Sequence, residues 1–164
     1  MAKIGVIGAG SWGIALSVLL SNNGHSVKVW SIIEEEIKML NEHHEHKDKL
    51  PGVILSDRIT FTTNLQEAIE GMDLLVMAVP SPFVRKTASD MKAFVKEGQI
   101  IVNVAKGIEE TTLMTLSQII EEEVPQAEVT VLSGPSHAEE VVRGIPTTIV
   151  VGAKNKKTEE YIQK

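Results

Sequence analysis

Three glycines near the amino terminus constrain the fold more than any other feature of the sequence. Gly8, Gly10 and Gly13 have the spacing GxGxxG, and they lie between a short apolar run and a segment of helical period that starts at Ser11. In a strand–turn–helix unit the first glycine permits a tight turn, the second lets a pyrophosphate approach the backbone, and the third lets the helix pack closely on the strand. The motif therefore predicts a dinucleotide-binding unit.

The residues that follow bear on which cofactor would bind. The amides of Ser11 and Trp12, at the start of the helix, would face the phosphates. An NAD site commonly has an acid at the end of the second strand, where it binds the ribose hydroxyls, whereas an NADP site has a nearby arginine. Ser31 and Ile32 stand there instead, and the first acid comes three residues after Ser31. The cofactor is therefore NAD or NADP, and the preference stays open.

Short β-branched runs alternate with longer segments of helical period, which is the pattern of strands and crossover helices in a parallel sheet. It predicts an α/β fold of the Rossmann type, with a doubly wound, mostly parallel sheet and helices on both faces. Strands are expected at residues 3–7, 26–30, 59–62, 73–79, 99–105, 128–132 and 146–151. Helices are expected at residues 11–23, 34–45, 64–70, 82–95, 111–122 and 136–143.

Composition narrows the class of protein. A chain of 164 residues with 43% hydrophobic and 23% charged residues suits one globular domain. With 22 acidic and 16 basic residues, its net charge of -6 gives no general attraction to nucleic acid or to an anionic membrane. No apolar run approaches the ~20 residues that span a bilayer. Together with the lack of cysteine, these features lead us to expect a cytoplasmic protein without membrane insertion.

A polar stretch of histidines and acids invites comparison with a metal site. His43, His44 and His46 are interspersed with carboxylates. Spacings of one to three residues in a polar segment rarely fix a tetrahedral ligand shell. We interpret the stretch as a solvated loop, and we predict no metal.

Two later motifs follow predicted strands at the carboxyl edge of the sheet, where open parallel sheets bind ligands. NVAKGIE places Lys106 there, where it would hold a phosphate or polarise a carbonyl; the alternative is a solvated lysine in a turn. SGPSHAEEV places Gly134 and Ser136 at a turn into a short helix, which would bind an anionic or hydroxylated group or would form a plain helix cap. For His137 in the same motif we expect a packing or orienting role rather than acid–base chemistry.

Taken together, GAGSWG, LPGV at 50–53, AVPS at 78–81, AKGIE at 105–109 and SGPSHAEEV at 133–141 resemble the bacterial glycerol-3-phosphate dehydrogenases. The resemblance extends from residue 1 to about residue 152. It implies interconversion of dihydroxyacetone phosphate and sn-glycerol 3-phosphate with NADH or NADPH, for glycerophospholipid synthesis. Among other classes, a dehydrogenase of the 3-hydroxyacyl-CoA or 6-phosphogluconate type and a non-catalytic dinucleotide sensor remain alternatives.

The resemblance also assigns roles to individual residues. It implies cofactor contacts from Ser11, Trp12, Ser31, Ile32, Lys106 and Ala138, and substrate contacts from Lys106, Gly134 and Ser136. Family members have a helical carboxyl-terminal domain with the main catalytic lysine and most phosphate-binding groups. We therefore expect residues 1–164 to be the nucleotide-binding domain of a longer enzyme, homodimeric when complete, and to be inactive alone.

Overall fold

Seven strands occur in the computed structural model, which describes residues 1–164. They are β1 (Lys3–Ile7), β2 (Ser26–Trp30), β3 (Ile59–Thr62), β4 (Leu74–Met77), β5 (Ile100–Asn103), β6 (Glu128–Ser133) and β7 (Val150–Ala153). All seven join one sheet in the order β3-β2-β1-β4-β5-β6-β7. Neighbouring strands from β1 to β6 pair in parallel, and β7 alone is antiparallel, pairing with β6. The predicted mostly parallel sheet is confirmed.

Helices cover both faces of the sheet. They are α1 (Ser11–Asn22), α2 (Glu34–His43), α3 (Leu65–Ile69), α4 (Val84–Met91), α5 (Leu116–Glu123), α6 (Ala138–Val142) and α7 (Lys156–Ile162). One buried apolar cluster joins the sheet to α1, α2 and α6, and a second joins its other face to α3, α4 and α5. The doubly wound arrangement predicted from the sequence is therefore confirmed. None of the helices combines the length and the apolar character that crossing a membrane requires.

The helix predicted for residues 82–95 ends at Met91, and two other predicted elements start four or more residues later than expected. The helix expected from residue 111 starts only at Leu116, because Thr115 forms a capping box with Gln118 in which each side chain binds the other's backbone amide. Leu113 has a left-handed φ of 59°, which no helix can include. The last strand starts at Val150 rather than four residues earlier, because the chain must first reverse direction to pair antiparallel with β6.

The strand order places the motif loops side by side. β1 lies between β2 and β4, so the chain leaves β1 and β4 in opposite directions across the sheet. A crevice at such a switch point is where open α/β sheets bind ligands. Backbone hydrogen bonds join the strand ends there: the Ala78 amide donates to Ile7 O at 2.8 Å, and the Val104 amide donates to Met77 O at 3.1 Å. The ends of β1, β4 and β5 therefore meet at one edge.

Candidate nucleotide-binding site

The three glycines of the fingerprint have different reasons to be glycine. Gly8 has a φ of +122°, and a Cβ there would lie 2.8 Å from the Ala78 carbonyl carbon. A Cβ on Gly13 would lie 2.1 Å from the Gly8 carbonyl oxygen, so only glycine lets α1 approach the preceding turn. Gly10 has an ordinary φ of -67°, and a Cβ there would meet nothing within 4 Å. The protein's own packing therefore explains Gly8 and Gly13 but gives no reason for Gly10.

A cleft of about 460 Å³ opens beside Gly10 at the carboxyl edge of the sheet. Fourteen residues from the motif loops line it, at 10–12, 78–81, 104–106 and 136–139. Six of them are hydrophobic, so the cleft combines apolar walls with a few polar groups, as ligand sites do. Four of the five motifs quoted for the family resemblance thus meet in one concavity.

The start of α1 supplies donors to this cleft. Gly10 caps the helix without a side chain, and the first turn contains no acidic residue. The first amides of a helix have no partner within it, and the helix dipole favours an anion beside them. Trp12, which lines the cleft, has a buried indole Nε1 that donates to no protein group. The free backbone amides at the start of α1 are therefore the donors that this cleft offers to an anionic ligand.

Lys106, Gly134 and Ser136 lie together, as the motifs predict. The Lys106 ammonium donates to Gly134 O at 3.3 Å and to Ser136 O at 3.5 Å, and the Ser136 hydroxyl donates to Gly134 O at 3.4 Å. Both acceptors of Lys106 are neutral carbonyls, so its positive charge is available to an anionic ligand. A Cβ on Gly134 would lie 2.5 Å from Thr148 O, so the approach of the chain leading into β7 explains that glycine.

Other residues of the SGPSHAEEV segment complete this wall. Ala138 is the first residue of α6, which packs against α1, and its side chain is buried. His137 lines the cleft with an exposed side chain. Its exposure does not fit the packing role expected for His137, and the orienting role stays a prediction.

The turn before Lys106 has an anchor that the motif did not reveal. Asn103 is buried at the end of β5. Its side-chain oxygen accepts from the Ala105 amide at 3.2 Å, and its side-chain nitrogen donates to Ala105 O at 3.5 Å. A buried amide that binds both backbone groups of one residue fixes the direction in which the chain leaves the strand. The asparagine inside NVAKGIE was the sequence feature that could have indicated this anchor.

The end of β2 differs from its sequence-based interpretation. Ser31 is buried, and its hydroxyl donates to Glu36 Oε2 at 2.6 Å. Lys49 also donates to the Glu36 carboxylate. Burial by itself raises the pKa of Glu36, but the hydrogen bonds from Lys49 and Ser31 and the charge of Lys49 outweigh it, so that the pKa lies below its ordinary value. An acid does lie beside the second strand, but protein groups already bind it.

This arrangement bears on two expectations. Ser31 and Ile32 lie outside the lining of the cleft; the Ser31 hydroxyl is engaged by Glu36, and Ile32 is 77% exposed. His46 is buried, and its Nε2 lies 3.6 Å from Glu36 Oε1, so the solvated-loop interpretation is wrong for this residue. No three His, Cys, Asp or Glu side chains are grouped so as to hold a metal ion.

Comparison with known proteins gives a consistent family. The family model for the amino terminus of NAD-dependent glycerol-3-phosphate dehydrogenase matches residues 3–159. A glycerol-3-phosphate dehydrogenase (NAD(P)+) of Agathobacter rectalis is 64% identical over 163 residues, which are 99% of this chain and 48% of the relative. The protein of the same name from Fusobacterium nucleatum is 52% identical over 99% of this chain and 49% of the relative.

A solved structure agrees with these relatives. Glycerol-3-phosphate dehydrogenase from Coxiella burnetii superposes with a TM-score of 0.93 at 25% identity, over 98% of this chain and 49% of that chain. The chain thus spans about half the length of the curated relatives it matches. Because the family model covers nearly all of its residues and the relatives align along its whole length, the chain belongs to the NAD-dependent glycerol-3-phosphate dehydrogenase family.

Proposed function

We propose that residues 1–164 form the nucleotide-binding domain of a glycerol-3-phosphate dehydrogenase and bind NADH or NADPH across the carboxyl edge of the sheet. The observation that carries the proposal is the cleft beside Gly10, the one fingerprint glycine for which the packing of the chain gives no reason. A pyrophosphate approaching the backbone supplies that reason. The family membership and the names of the relatives support the same cofactor class.

The residues around the cleft fit a dinucleotide. Ser11 and Trp12 offer the free amides of the first turn of α1. Lys106 and Ala138 also line the cleft, and Ile32 presents an apolar surface at the end of β2, where the adenosine would lie. When bound, the nicotinamide would supply the hydride that reduces the substrate carbonyl.

We assign Lys106, Gly134 and Ser136 to the substrate end. Dihydroxyacetone phosphate carries an anionic phosphate and a carbonyl, and the uncompensated ammonium of Lys106 would position this substrate and polarise its carbonyl. The family's main catalytic lysine belongs to the half that this chain does not span. We therefore expect the isolated chain to bind cofactor weakly and to show little turnover, and a homodimeric, cytoplasmic complete enzyme is part of the same proposal.

The corner at the end of β2 supports the use of both cofactors. The Glu36 carboxylate is held by Ser31 and Lys49, so it is not free to bind ribose hydroxyls and its charge is largely balanced. Glu36 is therefore not a free carboxylate that would bind the ribose of NADH or repel the 2′-phosphate of NADPH. We expect NADH and NADPH to bind with affinities within about tenfold, or ~1.4 kcal/mol, of each other.

Calorimetric titration of the chain with NADH and NADPH tests the proposal. Gly10→Asp would put a negative charge into the cleft and should abolish binding. Gly152→Asp is the matched control, because this glycine also has room for a side chain but lies in β7, outside the cleft. Binding that survives Gly10→Asp, or absence of binding by the unmodified chain, would contradict the proposed site.

The expectation of low activity has its own test. The pure chain is mixed with dihydroxyacetone phosphate and NADH, and oxidation of NADH is followed by its absorbance. Rapid turnover by the chain alone would show that its own residues complete the catalytic site, and it would overturn the assignment of the main lysine to the other half.

A further inference from the structure

The segment that carries Lys106 is a loop without helix or strand of its own. It runs from the end of β5 to α5. Gly107 has a φ of +119°, Ile108 forms an isolated bridge with Thr115, and the Glu109 amide donates to Met114 O at 3.0 Å. The loop folds back on itself, but Lys106 and Ile108 remain exposed. Contacts outside this local pairing therefore bear on where the loop stands against the cleft.

One guanidinium provides that fixation. Arg85 Nε donates to Glu109 Oε1 at 2.7 Å, and Arg85 Nη2 donates to Glu109 Oε2 at 2.8 Å, which is a bidentate pair. The remaining nitrogen, Nη1, donates to Glu123 at 2.6 Å and to Glu122 at 3.1 Å. Arg85 therefore joins α4, the Lys106 loop and the end of α5 through a single side chain.

The charges explain why the loop depends on this residue. Hydrogen bonds from Arg85 and from the Thr112 hydroxyl lower the pKa of Glu109 to about 2, so its carboxylate is ionised at neutral pH. The hydrogen bonds with Glu109 and Glu123 in turn raise the pKa of Arg85. Three carboxylates surround one cation, and without that cation they would repel one another. Loss of Arg85 would therefore push Glu109, and the loop with it, away from α5.

The same contact reaches the cleft from a second side. Arg85 stands in the first turn of α4, directly after the 3₁₀ turn at Ser81–Phe83, and Ser81 lines the cleft. A Cβ on Gly107 would lie 3.4 Å from Ser81 Cβ, so the AVPS and AKGIE loops are already in close approach. Asn103 fixes the chain before Lys106, and the Arg85–Glu109 pair fixes it after Lys106.

From this geometry we infer that Arg85 is a positioning residue, which holds the Lys106 ammonium at the cleft through its bidentate pair with Glu109. The expected effect of Arg85 on ligand binding rests on the proposed function, whereas its expected effect on the position of the Lys106 ammonium does not. Lysine cannot form the planar bidentate pair, so Arg85→Lys keeps the charge but loses the geometry.

The test compares Arg85→Gln with Lys86→Gln. Lys86 is the next residue on α4 and loses the same charge, but its ion pair, with Asp90 at 2.6 Å, is exposed and lies within the same helix. Glu109→Gln breaks the Arg85 pair from the loop side and reduces the repulsion, so it serves where Arg85→Gln does not fold. Circular dichroism confirms that each variant is folded.

The first readout is an NMR spectrum of chains whose lysine side-chain nitrogens carry ¹³C-methyl groups. The Lys106 signal is identified as the one that is missing from the spectrum of the Lys106→Arg variant. Arg85→Gln should move this signal towards that of a free lysine, Arg85→Lys should move it part of the way, and Lys86→Gln should leave it unchanged. An unmoved signal in both Arg85→Gln and Glu109→Gln would overturn the inference, whether or not the chain binds NADH.

The second readout is the affinity for NADH. Arg85→Gln should weaken it about tenfold, as expected for one charge-assisted hydrogen bond. In a Lys106→Ala background the same substitution should have no further effect, because Arg85 acts through Lys106. A further loss there would mean a general structural role and would refute positioning. If no variant binds NADH, the proposed function fails, and the Lys106 signal alone decides the role of Arg85.

Discussion

Replacing Gly13 and Gly10 of the fingerprint by alanine, one at a time, should have different effects. Gly13→Ala should lower the stability of the chain, whereas Gly10→Ala should weaken its binding of cofactor. At Gly13 the added Cβ would lie 2.1 Å from Gly8 O, about 1.3 Å short of the 3.4 Å at which ordinary contact begins. The two nearest atoms, Gly8 O and Gly8 C, belong to the backbone, so no change of side-chain rotamer relieves the clash. Overpacking of this kind costs about 3 kcal/mol. The better helix propensity of alanine returns about 1 kcal/mol, which leaves a loss of about 2 kcal/mol.

At Gly10 the same substitution meets open space. Its φ of -67° and ψ of 171° suit any residue. Reduced freedom of the unfolded chain stabilises by about 0.4–1 kcal/mol, and the poorer capping preference of alanine costs about as much. We expect Gly10→Ala to change the free energy of unfolding by less than about 0.5 kcal/mol, while its methyl group stands where the pyrophosphate would pass and weakens NADH binding.

Thermal unfolding followed by circular dichroism measures the first effect, and calorimetric titration with NADH measures the second. For a chain of this size, about 2 kcal/mol corresponds to a fall in melting temperature of about 4–8 °C for Gly13→Ala. An unchanged melting temperature for Gly13→Ala would refute the close approach of α1 to the preceding turn. Full NADH affinity in Gly10→Ala would refute the assignment of Gly10 to ligand approach.

Three further predictions concern other parts of the chain. Because the pKa of Glu36 is lowered in the folded state, its carboxylate stabilises the protein at pH values above the ordinary pKa of 4.5, and this contribution is lost as the pH falls through the lower folded pKa. In urea denaturation at a series of pH values, Glu36→Gln should therefore reduce the loss of stability on acidification. An unchanged pH profile would contradict the contacts of Glu36 with Ser31 and Lys49. Gly134→Ala should lower the melting temperature, because its Cβ would lie 2.5 Å from Thr148 O, and an unaltered transition would exclude so close a contact. Trp30→Phe leaves Trp12 as the only tryptophan, and NADH should quench its fluorescence; unquenched emission in a chain that binds NADH by calorimetry would place the cofactor elsewhere.

The sequence by itself determined the architecture and the place of the cleft. The bounds of β1, β2 and β3 match their predictions, and the fingerprint turn has the conformation that its glycines require. Helical and strand periods and turn glycines act over a few neighbouring residues, so contiguous sequence reveals them. Parallel strands then bring their carboxyl ends to one edge, which is why the sequence alone places Lys106 near Ser136.

Only the tertiary structure decided which side chains pair. Arg85 reaches Glu109 across 24 residues and Glu123 across 38, and neither partner is distinguished in sequence from other surface acids. Glu36 and His46 become buried because α2 and the chain after it close over the end of β2. Long-range ion pairs and burial depend on which segments the strand order sets side by side, and that order is a property of the whole sheet rather than of any local run of residues.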